Sequence, residues 1–206
     1  NPMRAAFLHK KNTLVINSRD GIYEVNYKEN RKTADMIPNN RSKLCAINQQ
    51  RDAVAVITTF DSEGVHKIFG EIKLYDVKKQ KLTWRHFFTG KPFNPSCIFT
   101  PSGILYVIEE DGNVHSSDDK SYYFPEAKSG HKGIITADNE AEKIIFTKYV
   151  NDSASALNTI HFDINRPVVT TDLIPNIPCD TVNAQIHNPK NKIVALHYYF
   201  NKIWIL

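Results

Sequence analysis

Carboxylates and histidines are the side chains of this sequence best suited to chemistry, and they gather most densely between positions 109 and 119. Glu109, Glu110 and Asp111 run together, followed by His115, Asp118 and Asp119. Paired acids serve general acid–base hydrolysis, and a set of oxygen donors can hold a divalent cation. Asp111 also has counterparts: Asp20, Asp61 and Asp152 each stand just after a strongly apolar run. A ring of acids is one reading of that recurrence. Turn chemistry is the other, because Asp-Gly at 20–21 and 111–112 is itself a hairpin signal. The turn accounts for all four. His9, His86, His161, His187 and His197 lack ligand spacing, and no GxSxG, HExxH or P-loop motif is present. Cys45, Cys97 and Cys179 lie far apart with no CxxC pair, and read as reduced, mostly buried small hydrophobes in a reducing compartment. On these grounds no catalytic residue, no metal ligand and no cofactor is assigned.

The elements that would position these residues are strands. Apolar residues do not recur at helical spacing; short runs bounded by Asn, Asp, Gly and Pro recur instead. The strongest runs are Thr13–Ser18, Ala53–Phe60, Ile104–Glu110, Lys143–Tyr149 and Ile193–Tyr199. With Leu14, Val54, Leu105, Ile144 and Val194 as anchors, the steps are 40, 51, 39 and 50 residues. Each anchor strand has a predecessor (Arg4–Leu8, Lys43–Asn48, Ser96–Thr100, Gly133–Asp138, Val182–His187) and a successor (Ile22–Tyr27, Glu71–Val77, Asn113–Ser117, Thr159–Ile164, Lys202–Leu206). Fourth strands are expected at Thr33–Ile37, Leu82–Phe88, Ser121–Phe124 and Val168–Ile174. Four strands in ~40–50 residues is the blade of a β-propeller. The expected fold is therefore all-β: a β-propeller fragment of four complete blades and one partial blade. Its repeat units lie near 1–40, 41–91, 92–130, 131–178 and 179–206.

Two of these units carry motifs. Gly70-Glu71-Ile72-Lys73-Leu74-Tyr75-Asp76-Val77 resembles the third strand of a WD-repeat, with Tyr75-Asp76 where that family carries Trp-Asp. Ser129-Gly130-His131 resembles the family's Gly-His dipeptide, and Thr159–Asp163 resembles a second Trp-Asp strand. The units beginning near Arg4 and Ser96 lack both dipeptides. The resemblance implies a protein-interaction scaffold. The alternative is a propeller hydrolase of lactonase or glycosidase type, with acids or a divalent metal at the channel mouth. Because the last unit stops at its third strand, the chain is expected to need the rest of a longer polypeptide to close the propeller.

In a propeller, the second-to-third and fourth-to-first connections share one face. The extra residues of the long units fall there, in Asp61–Gly70 and Asn151–Asn158. Loops longer than folding requires are where binding resides. Arg41, Lys43, His66, Lys67, Lys91, Lys128, His131 and Lys132 are the partner-binding candidates on that face. Their charge suits an acidic or phosphorylated protein segment, or a lipid phosphate. The opposite face carries the basic runs 28–32 and 78–81. The chain has 206 residues and a net charge of +4, which is too mild to demand nucleic acid. No apolar run approaches the ~18 residues of a membrane-spanning helix. A cytoplasmic interaction module, more binder than enzyme, is the expectation.

Overall fold

The computed structural model describes residues 4–7, 13–17, 21–29, 31–37, 42–48, 51–60, 70–88, 96–109, 111–125, 135–137, 142–151, 154–162, 166–175, 182–185, 194–199 and 202–205. Among the described residues there is no α-helix, and so no helix long and apolar enough to cross a membrane. The first sheet comprises β1 (Arg4–Phe7), β2 (Thr13–Asn17), β3 (Ile22–Asn26) and β4 (Arg31–Ile37). The second comprises β5 (Ser42–Asn48), β6 (Ala53–Thr59), β7 (Gly70–Asp76) and β8 (Lys81–Phe88). The third holds β9 (Ser96–Phe99), β10 (Leu105–Ile108), β11 (Asn113–Ser116) and β12 (Ser121–Tyr123). The fourth holds β13 (Ile135–Ala137), β14 (Lys143–Asn151), β15 (Ala154–His161) and β16 (Val168–Pro175). β17 (Val182–Gln185), β18 (Val194–Tyr199) and β19 (Lys202–Ile205) make a three-stranded fifth sheet. Strands pair in chain order and antiparallel throughout, so four sheets are complete up-and-down meanders and the fifth has three strands, as expected. Predicted and observed strands agree to within about two residues, with one exception described below.

The chain divides into two compact units, residues 1–94 and 95–206. In the first, Val15 and Ile22 of the first sheet pack with Leu44, Val54, Val56 and Val77 of the second. In the second, Tyr106, Ile108, Val114 and Phe124 of the third sheet pack with Ile144 and Ile160 of the fourth. Each buried aliphatic side chain contributes about 1.5–3 kcal/mol. The four residues of β10 are all buried, the signature of a strand covered on both faces. β8 alternates instead: Lys81, Thr83, Arg85 and Phe87 are exposed, while Trp84, His86 and Phe88 line the other face. Trp84 stacks on His86 with centroids 5.9 Å apart, and His86 meets Phe88 edge-on at 5.4 Å.

Local chemistry fixes the turns and irregularities. Asp52, Gln80 and Asp119 occupy left-handed backbone at φ 51°, 51° and 63°, one in each of three tight turns. Asn26 Oδ1 accepts from the amides of Lys28 and Glu29, Asn48 Oδ1 from Arg51, and Asp76 Oδ1 from Lys79. The register of β7 and β8 slips so that Thr83 is an extra residue opposite Leu74 and Tyr75, and its hydroxyl donates to the Leu74 carbonyl at 3.1 Å. Cys45 is the corresponding extra residue of β5; its thiol donates to the Ala55 carbonyl at 3.2 Å. Cys45 and Cys97 are free and half-buried, less enclosed than the sequence suggested; Cys179 lies outside the described residues.

Candidate functional site

Of the eight partner-binding candidates, Lys43 is the one described; Arg41, His66, Lys67, Lys91, Lys128, His131 and Lys132 lie outside the described residues, as does 61–69 of the blade-two loop. Lys43 is exposed on β5 opposite Ile57. Its neighbour Ser42 is buried and shares a 2.8 Å hydrogen bond with Thr58. That bond pins the strand end from which the lysine projects.

The structure corrects the second long loop. Asn151 and Ala154–Asn158 are strand, not loop: β14 and β15 stay paired through Lys148↔Ala156 and Tyr149↔Ser155 to Asn151↔Ala154, with one irregularity between Tyr149 and Asn151. Asp152 and Ser153 lie outside the described residues. β16 accompanies them to Pro175 opposite Ala154, whereas among the described residues β13 pairs with Ile144–Phe146. Beyond Phe146, β14, β15 and β16 stay paired with one another and form a tongue. In the third sheet the ladder stops at Ile108↔Val114, three residues past its anchor, whereas β14 runs seven past Ile144. At ~3.4 Å per residue, four extra positions add roughly 13 Å of strand. The Ser- and Ala-rich stretch 154–156 looks like a linker by composition, but ladder pairing overrides weak strand propensity.

The acid-rich region of the third sheet resolves into turns. Asp111 Oδ1 accepts from the Asn113 amide at 3.0 Å and Oδ2 from the Asn113 side chain at 2.6 Å, with Gly112 at φ 93° completing the bend. Both oxygens serve the β10–β11 turn. Glu110 and the counterparts Asp20, Asp61 and Asp152 lie outside the described residues. Asp118 accepts from Ser116 and forms a 2.6 Å ion pair with Lys120. Its partial burial would raise its pKa, but the hydrogen bonds from Lys120 and Ser116 outweigh that and lower it. His115 lies between Ser121 Oγ (2.9 Å from Nδ1) and Glu109 Oε1 (3.4 Å from Nε2), a cross-strand arrangement that fixes its ring.

Two charged networks escaped the sequence reading. Glu71 is 6% exposed, forms an ion pair with Lys73 and receives Arg85 Nε at 3.2 Å. Arg85 also sits over the Phe87 ring, 5.5 Å from its centroid. In the second unit, Glu142 Oε1 accepts from the Ser102 amide at 2.7 Å, linking the β9–β10 turn to the fourth sheet. Burial, then the Glu142 and Tyr122 charges, push the Tyr106 phenol well above the ordinary range. Strand alternation marks such residues as polar positions and carries no signal of what covers them.

No protein-family model and no curated protein matches the sequence. Solved structures do. The chain superposes on a crystal structure of a eukaryotic initiation factor with a TM-score of 0.58 and 10% identity, covering 100% of this chain and 51% of that one. It matches the Dos1 propeller with a TM-score of 0.58 and 10% identity, over 95% of this chain and 52% of the other. The fold is that of a β-propeller. The chain spans about half the length of both structures. Identity this low speaks to architecture alone, and the four-stranded meanders are its blades.

Proposed function

We propose that this β-propeller chain is a WD-like interaction module, a cytoplasmic scaffold that holds a protein partner through the connections between second and third strands. The observation that carries the reading is the tongue of the fourth blade, which extends four positions beyond the ladder of the third. Its backbone is held by pairing on both sides of β15, so the surface is presented without the ordering cost of a flexible loop. Lys43, exposed on β5, and the basic candidates outside the described residues favour a partner with an acidic or phosphorylated segment. Free, half-buried Cys45 and Cys97 suit a reducing compartment. The hydrolase alternative is not favoured, since the Asp111 carboxylate spends both oxygens on its own turn.

The test replaces Lys148–Ala156 with Asn-Gly, which closes the hairpin at the Thr147↔Leu157 pair with a two-residue turn. The melting temperature is expected to stay within about 4 °C, because the anchor pair Ile144↔Ile160 and its cluster are retained. Affinity purification with quantitative mass spectrometry should lose the same proteins from the shortened form and from Lys43→Glu. Undiminished capture by the shortened protein overturns the reading.

A further inference from the structure

We infer that the turn ends of the first two blades form a second, independent docking surface, shaped for an acidic peptide segment. The β3–β4 turn presents Tyr27 (47% exposed), Lys28 and Glu29; the β5–β6 turn presents Arg51; the β7–β8 turn presents Lys78, Lys79 and Gln80, with Lys81 opening β8. All are exposed. Five cations face three carboxylates, Glu29, the half-buried Asp76 and the buried Asp52, leaving a local excess of two where the whole chain carries +4. Asp76 is already committed: it accepts from the Lys79 amide at 2.9 Å and pairs with its ammonium at 3.3 Å. The Lys79 amide bond is the main reason its pKa is lowered.

These turns are rigid and belong to one packed body. Val77, which leads directly into Lys78, is buried in the cluster that also contains Val15 and Ile22 of the first sheet. The Val77 amide donates to the Asp52 carbonyl at 2.8 Å, tying the β7–β8 turn to the β5–β6 turn. Asn26, Asn48 and Asp76 each cap their own turn, so binding would immobilise side chains but no backbone. The half-exposed Tyr27 ring offers apolar area beside the charges, the aromatic-plus-cation makeup of an interaction patch.

An acidic peptide fits this surface better than nucleic acid. The turns are tight hairpins rather than a groove that tracks a phosphate backbone. Four of the five cations are lysines, point charges without the bidentate fork that arginine offers a phosphate. Glu29 and Asp76 interleave with them and would repel closely spaced phosphates, whereas peptide carboxylates can bypass them.

The experiment titrates the full chain into a fluorescein-labelled glutamate-rich peptide and, separately, an oligothymidylate of equal charge. Fluorescence anisotropy reads affinity, and zero-length carbodiimide crosslinking maps the contacts. Saturable peptide binding is expected, with crosslinks at Lys28, Lys78 and Lys81. The triple variant Lys28→Gln/Lys78→Gln/Lys81→Gln should bind about tenfold more weakly with a shallower salt dependence. Tyr27→Ala should weaken binding about threefold, as loss of one aromatic contact does. Lys120→Gln, in the other unit, should leave it unchanged. Wild-type affinity in the triple variant, crosslinks confined to other lysines, or tighter binding of oligothymidylate than of peptide overturns the proposal. Truncating the fourth-blade tongue leaves this binding intact, so the two readings fail separately.

Discussion

Glu71 shows what one side chain in an alternating strand can do. Its neighbours Ile72 and Leu74 fill a core face, while Glu71 and Lys73 lie on the other face and join Arg85 of β8 in one ionic group. A buried carboxylate is tolerated only when it is paired. Glu71→Gln keeps the shape and removes the charge, so Lys73 and Arg85 lose their counter-ion. Chemical denaturation should show a loss of about 1–3 kcal/mol, below the 3–5 of a fully enclosed pair because the Arg85 side chain is 44% exposed. Arg85→Gln should cost under about 1 kcal/mol for the same reason. The Tyr75 phenol supplies an internal check. Burial, then Glu71, raise its pKa while Arg85 lowers it, so Glu71→Gln should bring its ultraviolet titration to lower pH. An unmoved titration would mean that the carboxylate does not act on the phenol. None of this was legible in the sequence, where Glu71 and Lys73 read as ordinary polar positions of a strand.

Elements were far more legible than sites. Apolar alternation and Asn, Asp and Gly punctuation located the strands of all five sheets, because a strand buried on one or both faces must write its burial into its composition. The miss is equally instructive. The β14–β15 tongue is held by ladder hydrogen bonds, which any non-proline residue can make, so Ala154-Ser155-Ala156 gave a loop signal where a strand stands. Bulges at Thr83 and Cys45 were invisible for the same reason. One glycine is decisive at this scale. Gly70 opens β7, and a Cβ there would lie 2.6 Å from the Thr58 carbonyl oxygen and 3.5 Å from Thr59 Cα. Both are backbone, so neither can swing aside. Gly70→Ala should therefore force β7 away from β6 at the Thr59↔Gly70 pair and cost about 1–3 kcal/mol. A stability unchanged from wild type in urea would show that the strand end yields freely.

Across the whole molecule, stability is organised by neighbouring sheets rather than by sheets alone. A single four-stranded meander covers only part of its apolar surface, and repeat architectures gain the remainder from the adjoining unit. The two core clusters have that form: each draws side chains from two consecutive sheets. The sequence could announce the repeat, since the anchors recur at 40, 51, 39 and 50 residues, but not which side chains meet across a boundary. Double mutants can separate those contacts. Ile22 and Val56 are fully buried in one cluster but come from different sheets, whereas Ile160 belongs to the other cluster. Ile22→Ala and Ile160→Ala should each cost about 2–5 kcal/mol, the usual range for truncating a closely packed core isoleucine. Their combination should be additive within about 0.5 kcal/mol, because they belong to separate core clusters. Ile22→Ala combined with Val56→Ala should instead depart from additivity by about 0.5–3 kcal/mol, since the second truncation enlarges a cavity that the first has already opened. Strict additivity in that pair would mean the two sheets of the first unit hold their cores separately, and the shared cluster would not be what stabilises them.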